Sequence, residues 1–113
     1  MAETGQNAFV FAGDHKLIKV VLQNEMNPEG LGVTYKVAKS VGAPAMLEKT
    51  LDNGITIDSS GDKLIFVVTM APADTAELCS AKYYHEMEIT TADSKPYTIM
   101  TGALTIKPTL IRP

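Results

Sequence analysis

The residues that could do chemistry are concentrated in one stretch, 71–89, which reads APADTAELCSAKYYHEMEI. It holds Cys79, the single cysteine of the chain, together with His85 and the adjacent Tyr83 and Tyr84. A cysteine nucleophile needs a base within hydrogen-bond reach and a third group that orients the base. A strand between Cys79 and His85 would carry these two side chains apart. We therefore expect no catalytic residue here and interpret Cys79 as a small buried hydrophobic residue.

The two histidines do not indicate a metal site. His85 shares a strand face with Met87, so we expect it at the edge of the core, whereas His15 begins another strand. Zinc sites need clustered ligands at spacings such as a helical H-E-x-x-H, which the sequence lacks. Glu86 and Glu88 fall on the polar face of the same strand, which indicates a solvated surface. With no phosphate-binding glycine loop either, we predict no metal, no cofactor and no enzymatic activity.

Along the segments that position these residues, apolar and polar side chains alternate with a period of two, as in β-strands. Alternating apolar residues, separated by turns rich in Gly, Pro, Asn and Asp, predict an antiparallel all-β sandwich. Gly102 lies inside the last strand and predicts a bulge or bend there. The stretch 71–78 is predicted as a single helical turn, with Pro72 at its first position. The predicted strands are 15–23, 33–39, 45–50, 55–57, 63–70, 83–90 and 97–106.

The opening stretch is better explained as a structural corner than as a site. Asp74 is placed to cap backbone amides of the helical turn, and Thr75 follows it. Leu78 can plug the end of the sandwich, while Tyr83 begins the next strand and its hydroxyl could bond back to the corner. The run ADTAELCSAKYYHEM resembles the corner before the sixth strand of immunoglobulin-type domains. This resemblance implies an immunoglobulin-like sandwich of about seven strands.

Length and charge limit the function further. A chain of 113 residues is expected to form one domain, residues 1–113. A net charge of −3 gives no basic footprint for nucleic acid. The N-terminal sequence has neither the basic start of a signal peptide nor an apolar stretch long enough for a membrane span. We expect a protein made in the cytoplasm that binds neither nucleic acid nor membrane.

The two ends, residues 1–13 and 107–113, are predicted to be extended arms. Phe9, Val10 and Phe11 are apolar and have no evident strand partner in the sequence, and Leu110 and Ile111 lie between two prolines. Apolar residues on a tail favour a partner surface. We expect these five residues to contact neighbouring subunits, so that the protein forms a homo-oligomer.

The order of features across residues 12–108 is similar to that of small β-sandwich proteins of tailed bacteriophages, in particular the N-terminal domain of baseplate upper proteins. The matching elements are Gly13-Asp14, Asp74-Thr75, the strand from Tyr83 to Ile89, and 102–106. The resemblance implies a non-enzymatic structural protein located in the virion. It would assemble with other virion proteins in the baseplate, a neck or head fibre, or a capsid decoration layer. The alternative is a binding or adhesion module that recognises a glycan or a host surface.

Overall fold

The computed structural model describes residues 7–23, 30–60, 63–75 and 81–107. Within these ranges no helix is long and apolar enough to cross a membrane. The all-β prediction is confirmed, and the seven predicted strands correspond to β2 through β8. The elements are β1 Ala8–Phe11, β2 Lys16–Gln23, β3 Gly32–Ala38, β4 Ala45–Leu51, β5 Gly54–Ser60, β6 Lys63–Met70, α1 Pro72–Thr75, β7 Ala81–Thr90 and β8 Pro96–Lys107.

The strands are hydrogen-bonded in the order β1-β8-β7-β3-β4-β5-β6-β2. Neighbours are antiparallel except for β1 with β8 and β4 with β5. β4 and β5 share register only at Thr50 with Gly54 and Leu51 with Ile55, the shortest pairing between described strands. From this break in the pairing we assign β1, β8, β7, β3 and β4 to one layer of the β-sandwich and β5, β6 and β2 to the other. The immunoglobulin-like assignment stays a prediction.

The core lies between these two layers and follows from the alternation of the strands. β6 is the clearest case, because every second residue from Leu64 to Met70 is buried and those between are half-buried. β3 contributes a fully buried Tyr35 in the same way. Apolar side chains buried between two sheets stabilise the fold by roughly 25 cal/mol per Å² removed from water. The largest fully buried apolar side chains of the cluster are Tyr35, Phe66, Ile55, Met70, Met87, Ile89, Ile99, Met100, Leu104 and Ile106.

The N-terminal arm is not free over residues 8–11, so the expectation that this segment has no strand partner is wrong. β1 pairs in parallel with β8, placing Val10 opposite Ile106. Val10 is only 2% exposed and belongs to the core. Its side chain is therefore buried within this chain and is not exposed for the predicted contact with a neighbouring subunit. The adjacent sequence does not predict this strand, because its partner strand, β8, lies near the other end of the chain.

The irregularity of β8 lies at a different place from the one predicted. Gly102 pairs regularly with His85, so it marks neither a bulge nor a break in register. The register shifts instead where Met87 pairs with Met100 and Glu88 with Thr98, which leaves Ile99 as the extra residue. Ile99 and Met100 are consecutive and both buried, as a bulge allows.

Candidate functional site

The predicted corner forms where β6 passes into α1. The carboxylate of Asp74 accepts a hydrogen bond from the N–H of Ala71, with 2.7 Å between N and Oδ2, as the capping prediction requires. Thr75 is fully buried, and its hydroxyl accepts a 3.0 Å hydrogen bond from the N–H of Gly13. The corner is thereby attached to the segment that leads into β2.

An ion pair that the sequence did not predict also stabilises the corner. Nζ of Lys49, on β4, lies 2.8 Å from Oδ2 of Asp74, and each of these side chains is 17% exposed. The Lys49 side chain passes directly over Gly54, where a Cβ would clash with it. Gly54 also has a φ of 102°, in the region that favours glycine. Both reasons require glycine at this position.

Four residues named in the sequence analysis lie outside the part of the chain that the structure describes: Leu78, Cys79, Leu110 and Ile111. Tyr83 is described and is 4% exposed, within the core cluster. The roles predicted for Leu78 and Cys79, and for the C-terminal arm, therefore stay predictions.

Phe9 and Phe11 are the two residues of β1 that point outward. They are 47% and 41% exposed, and their rings meet edge to face with centroids 6.0 Å apart. Nζ of Lys107 lies 4.1 Å from the centroid of Phe9, and Nζ of Lys16 lies 5.4 Å from it. These cation–π contacts occupy part of the Phe9 surface. Phe9 and Phe11 stay candidate assembly contacts, unlike Val10.

His85 is a core residue in the structure. It is 1% exposed, and its Nδ1 lies 2.9 Å from the hydroxyl of Tyr35. A crevice of about 200 Å³ opens above it between β1 and β2, with Met100 also in its lining. No three His, Cys, Asp or Glu side chains within the described ranges are grouped so that they could hold a metal ion. His85 thus belongs to the packing of the sandwich.

A larger hollow, of about 460 Å³, lies on the side of β3 and β7 that faces away from the core. We call it the β3–β7 groove; its wall is the loop 39–44 and its floor is formed by outward side chains of β3 and β7. In the loop, the N–H of Ala43 donates to the carbonyl of Ser40 over 3.1 Å, and Gly42 has a φ of 88°. A turn with positive φ only at its third residue is of type II. This geometry holds Val41 at the tip, 74% exposed.

A row of charges crosses three strands, from the floor of the groove into a second hollow beside it. Lys36 of β3 lies in register between Glu48 of β4 and Glu86 of β7. Glu88 follows on the same face of β7, and a second hollow of about 180 Å³ shares Lys36 and Glu86 with the first. The floor of the groove itself holds one charge of each sign, Lys36 and Glu86, while Glu48 and Glu88 line the second hollow, so the excess of negative charge lies in that second hollow.

Tyr84 connects the charged floor to the loop wall. Its hydroxyl donates a 2.6 Å hydrogen bond to Oε1 of Glu86. This hydrogen bond, followed by burial and by the charge of Glu86, raises the pKa of Tyr84 to about 12. The phenol therefore stays neutral at physiological pH and presents an apolar ring beside a carboxylate. Such an arrangement is suited to binding a group that is both apolar and positively charged.

The sequence pattern did not predict this groove. It indicated that Glu86 and Glu88 lie on a solvated strand face, and no residue near them in the sequence shows that Lys36 and Glu48 are their neighbours on adjacent strands. The one local signal was Ser40–Pro44, SVGAP, which places an exposed apolar residue at the tip of a turn between two strands.

No family model matches the chain, and no curated protein matches it. Among solved structures it is similar to CopC from Methylosinus trichosporium OB3b, with 16% identity and a TM-score of 0.45. The alignment covers 90% of this chain and 84% of CopC. At this identity and score the likeness transfers no function.

The prediction of a bacteriophage virion structural protein is corrected here. It depended on short structural motifs, and the similar solved structure described above is CopC of a Methylosinus species rather than a phage protein. The assignments to a baseplate, a neck or head fibre, or a capsid decoration layer depended on that prediction and are withdrawn with it. Motifs such as Asp74-Thr75 describe a corner that different β-sandwiches can share, so they do not specify a function.

Proposed function

We propose that the protein is a non-catalytic binding module that holds an extended polypeptide segment in the β3–β7 groove. The observation that carries this proposal is the fixed type II turn, which presents Val41 to solvent beside the Tyr84–Glu86 pair. An apolar side chain held outward by a fixed backbone loses little entropy when a partner covers it. Binding residues placed on loops and supported by a rigid sheet are common in β-sandwich proteins.

The chemistry of the groove specifies the segment that would bind. An apolar side chain of the ligand would pack between Val41 and the ring of Tyr84. A neighbouring Lys or Arg would lie over the second hollow, where the carboxylates of Glu86 and Glu88 exceed the charge of Lys36. An arginine fits best, because it can pair with a carboxylate and stack on an aromatic ring at the same time.

A glycan is the less suitable ligand for this groove. Sugar platforms rely on exposed aromatic faces, and among the described residues Tyr84 is the only aromatic one in the lining. A neutral sugar would also leave the excess negative charge of the second hollow without a partner. The charge therefore favours a basic polypeptide.

The test is selection of binders from a randomised hexapeptide library, with an array of neutral glycans screened in parallel. We expect selected peptides to combine Lys or Arg with an apolar residue. Glu86→Lys and Val41→Lys should each weaken their binding by about tenfold or more, which is a loss of about 1.4 kcal/mol. Val21→Lys, which changes an exposed valine on the opposite side of the sandwich, is the matched control and should leave binding unchanged.

Two results would overturn the proposal. One is a failure to select any peptide whose binding depends on Glu86 or Val41. The other is binding of a neutral glycan that the same two variants abolish, since this would make the groove a carbohydrate site.

A further inference from the structure

The outer side of the second layer has an unusual composition for a solvent-facing sheet. Outward residues of β2 lie in register with those of β6, so that Leu17 is opposite Thr69 and Val21 is opposite Ile65. Antiparallel sheets that face water on one side normally alternate between apolar and polar residues. We call this surface the β2–β6–β5 face; its outward residues are Leu17, Lys19, Val21, Thr56, Asp58, Ile65, Val67 and Thr69.

Four of these residues are large, apolar and incompletely covered. Leu17 is 49% and Val21 is 43% exposed, while Ile65 and Val67 are half-buried. They are adjacent, since β6 lies between β2 and β5. Contiguous apolar surface of this kind, with polar residues around it, marks a binding surface.

We propose that the β2–β6–β5 face is a two-fold interface between two copies of this chain. The argument for a second copy is charge complementarity within one face. Lys19 lies on the β2 side and Asp58 on the β5 side, in adjacent rows of the sheet. A two-fold axis along β6 places β2 of each copy over β5 of the other, so Lys19 lies over Thr56 of the second copy and one row away from its Asp58, a separation that a lysine side chain can span.

The same axis packs the apolar centre of the face, formed by Ile65 and Val67, against the same two residues of the other copy. Val67 meets the Val67 of the other copy, and Ile65 meets its Ile65. Two sheets packed face to face in this way form a layer of interdigitated side chains about 10 Å thick, as inside a sandwich. The arrangement is closed, so it predicts a dimer and not a growing chain.

Pairing of two copies through the edge of β2 is the less favourable arrangement. β2 is a terminal strand in the described sheet order, so its outer edge faces none of the other described strands. It carries Lys16 and Lys19, however, and lysine on an edge strand opposes pairing with another edge. In an antiparallel pairing centred on Lys19, the two Lys19 side chains would lie directly opposite each other.

The size of the face sets the expected affinity. Strands lie about 4.8 Å apart and outward residues about 6.6 Å apart along a strand, so the three-stranded apolar centre is small. A standard stable interface buries roughly 800 Å² on each partner, and smaller ones are weak or transient. We therefore expect a dissociation constant of about 10–500 µM.

The experiment is sedimentation equilibrium of the full chain from about 10 µM to about 1 mM, spanning the expected range. The expected result is a monomer–dimer equilibrium without larger species. Val21→Asp should raise the dissociation constant by about tenfold, because the axis places residue 21 of each copy over Asp58 of the other copy, so that two carboxylates would face each other. Val41→Asp is the matched control: it makes the same substitution at an exposed valine in the β3–β7 groove, and it should not change the equilibrium.

A charge exchange tests the relative orientation of the two copies. Lys19→Asp and Asp58→Lys should each weaken the dimer by roughly two- to fivefold, and the double variant should restore it. Circular dichroism of each variant establishes that it is folded. The proposal is overturned by a monomer up to 1 mM, by oligomers beyond the dimer, or by equal effects of Val21→Asp and Val41→Asp. The inference does not depend on the groove, because peptide binding and dimerisation are tested by variants on opposite sides of the sandwich.

Discussion

The hydroxyl of Tyr35 lies 2.9 Å from Nδ1 of His85, inside the core and between strands β3 and β7. The tyrosine is fully buried, and its ring meets the imidazole edge-on at 5.7 Å between centroids. Burial raises the pKa of Tyr35 well above its usual range, so its hydroxyl keeps its proton. It can therefore donate to Nδ1 when the imidazole carries its proton on Nε2. This pair satisfies two polar groups that would otherwise be costly in an apolar core.

Tyr35→Phe should lower the free energy of unfolding by about 1–3 kcal/mol, because it leaves Nδ1 of His85 without this hydroxyl in the core. Urea denaturation measures the change. Tyr97→Phe is the matched control, since Tyr97 is 44% exposed and a surface change of this kind stays within about 0.5 kcal/mol. Equal midpoints for the two variants would show that the buried hydrogen bond does not contribute to stability.

Asp74→Ala should lower the free energy of unfolding by about 0.5–2 kcal/mol, since it removes the hydrogen bond to the N–H of Ala71 as well as the ion pair. Lys49→Met removes the ion pair alone and should cost less, at most about 1 kcal/mol. Thermal denaturation of both variants separates the two contributions. If Lys49→Met is as destabilising as Asp74→Ala, the capping contribution of the corner is absent.

Tyr84 should titrate near pH 12, which ultraviolet absorbance of tyrosinate can measure by difference between the wild type and Tyr84→Phe. The largest cause is the hydrogen bond to Glu86, so Glu86→Gln should lower this pKa toward the usual value of about 10. The folded-state pKa is above the unfolded value, and the phenol is the neutral form. Its contribution to stability is therefore complete below about pH 10 and is lost as the pH rises through about 12. An unchanged Tyr84 pKa in Glu86→Gln would contradict the hydrogen bond.

Local alternation was sufficient to predict most of the sandwich. The period of two in β3, β6 and β7 depends only on which side of a strand each residue faces, and this is written in the adjacent sequence. The same rule placed His85 on the core side. The capping role of Asp74 was predictable because its acceptor and donor are three residues apart.

Neither β1 nor the bulge in β8 was predicted from the sequence, because each depends on pairing with a strand that is distant in the sequence or on its register. The four residues of β1 are too short a run to show a period, and they become a strand only by pairing with β8. The extra residue at Ile99 is defined by the register with β7, and no residue type there requires it. Gly102 is a residue type that favours a bulge at its own position, but the bulge in the structure lies at Ile99.

The sequence by itself determined that this chain is an all-β sandwich with a capped corner, because strand periodicity and turn chemistry are local properties. Only the tertiary structure decided which residues become neighbours across the strands. It brought Tyr35 to His85, placed Lys36 between Glu48 and Glu86, and gathered the apolar residues of β2 and β6 on one exposed face. Strand order and register set these neighbours, and both depend on how the whole core packs.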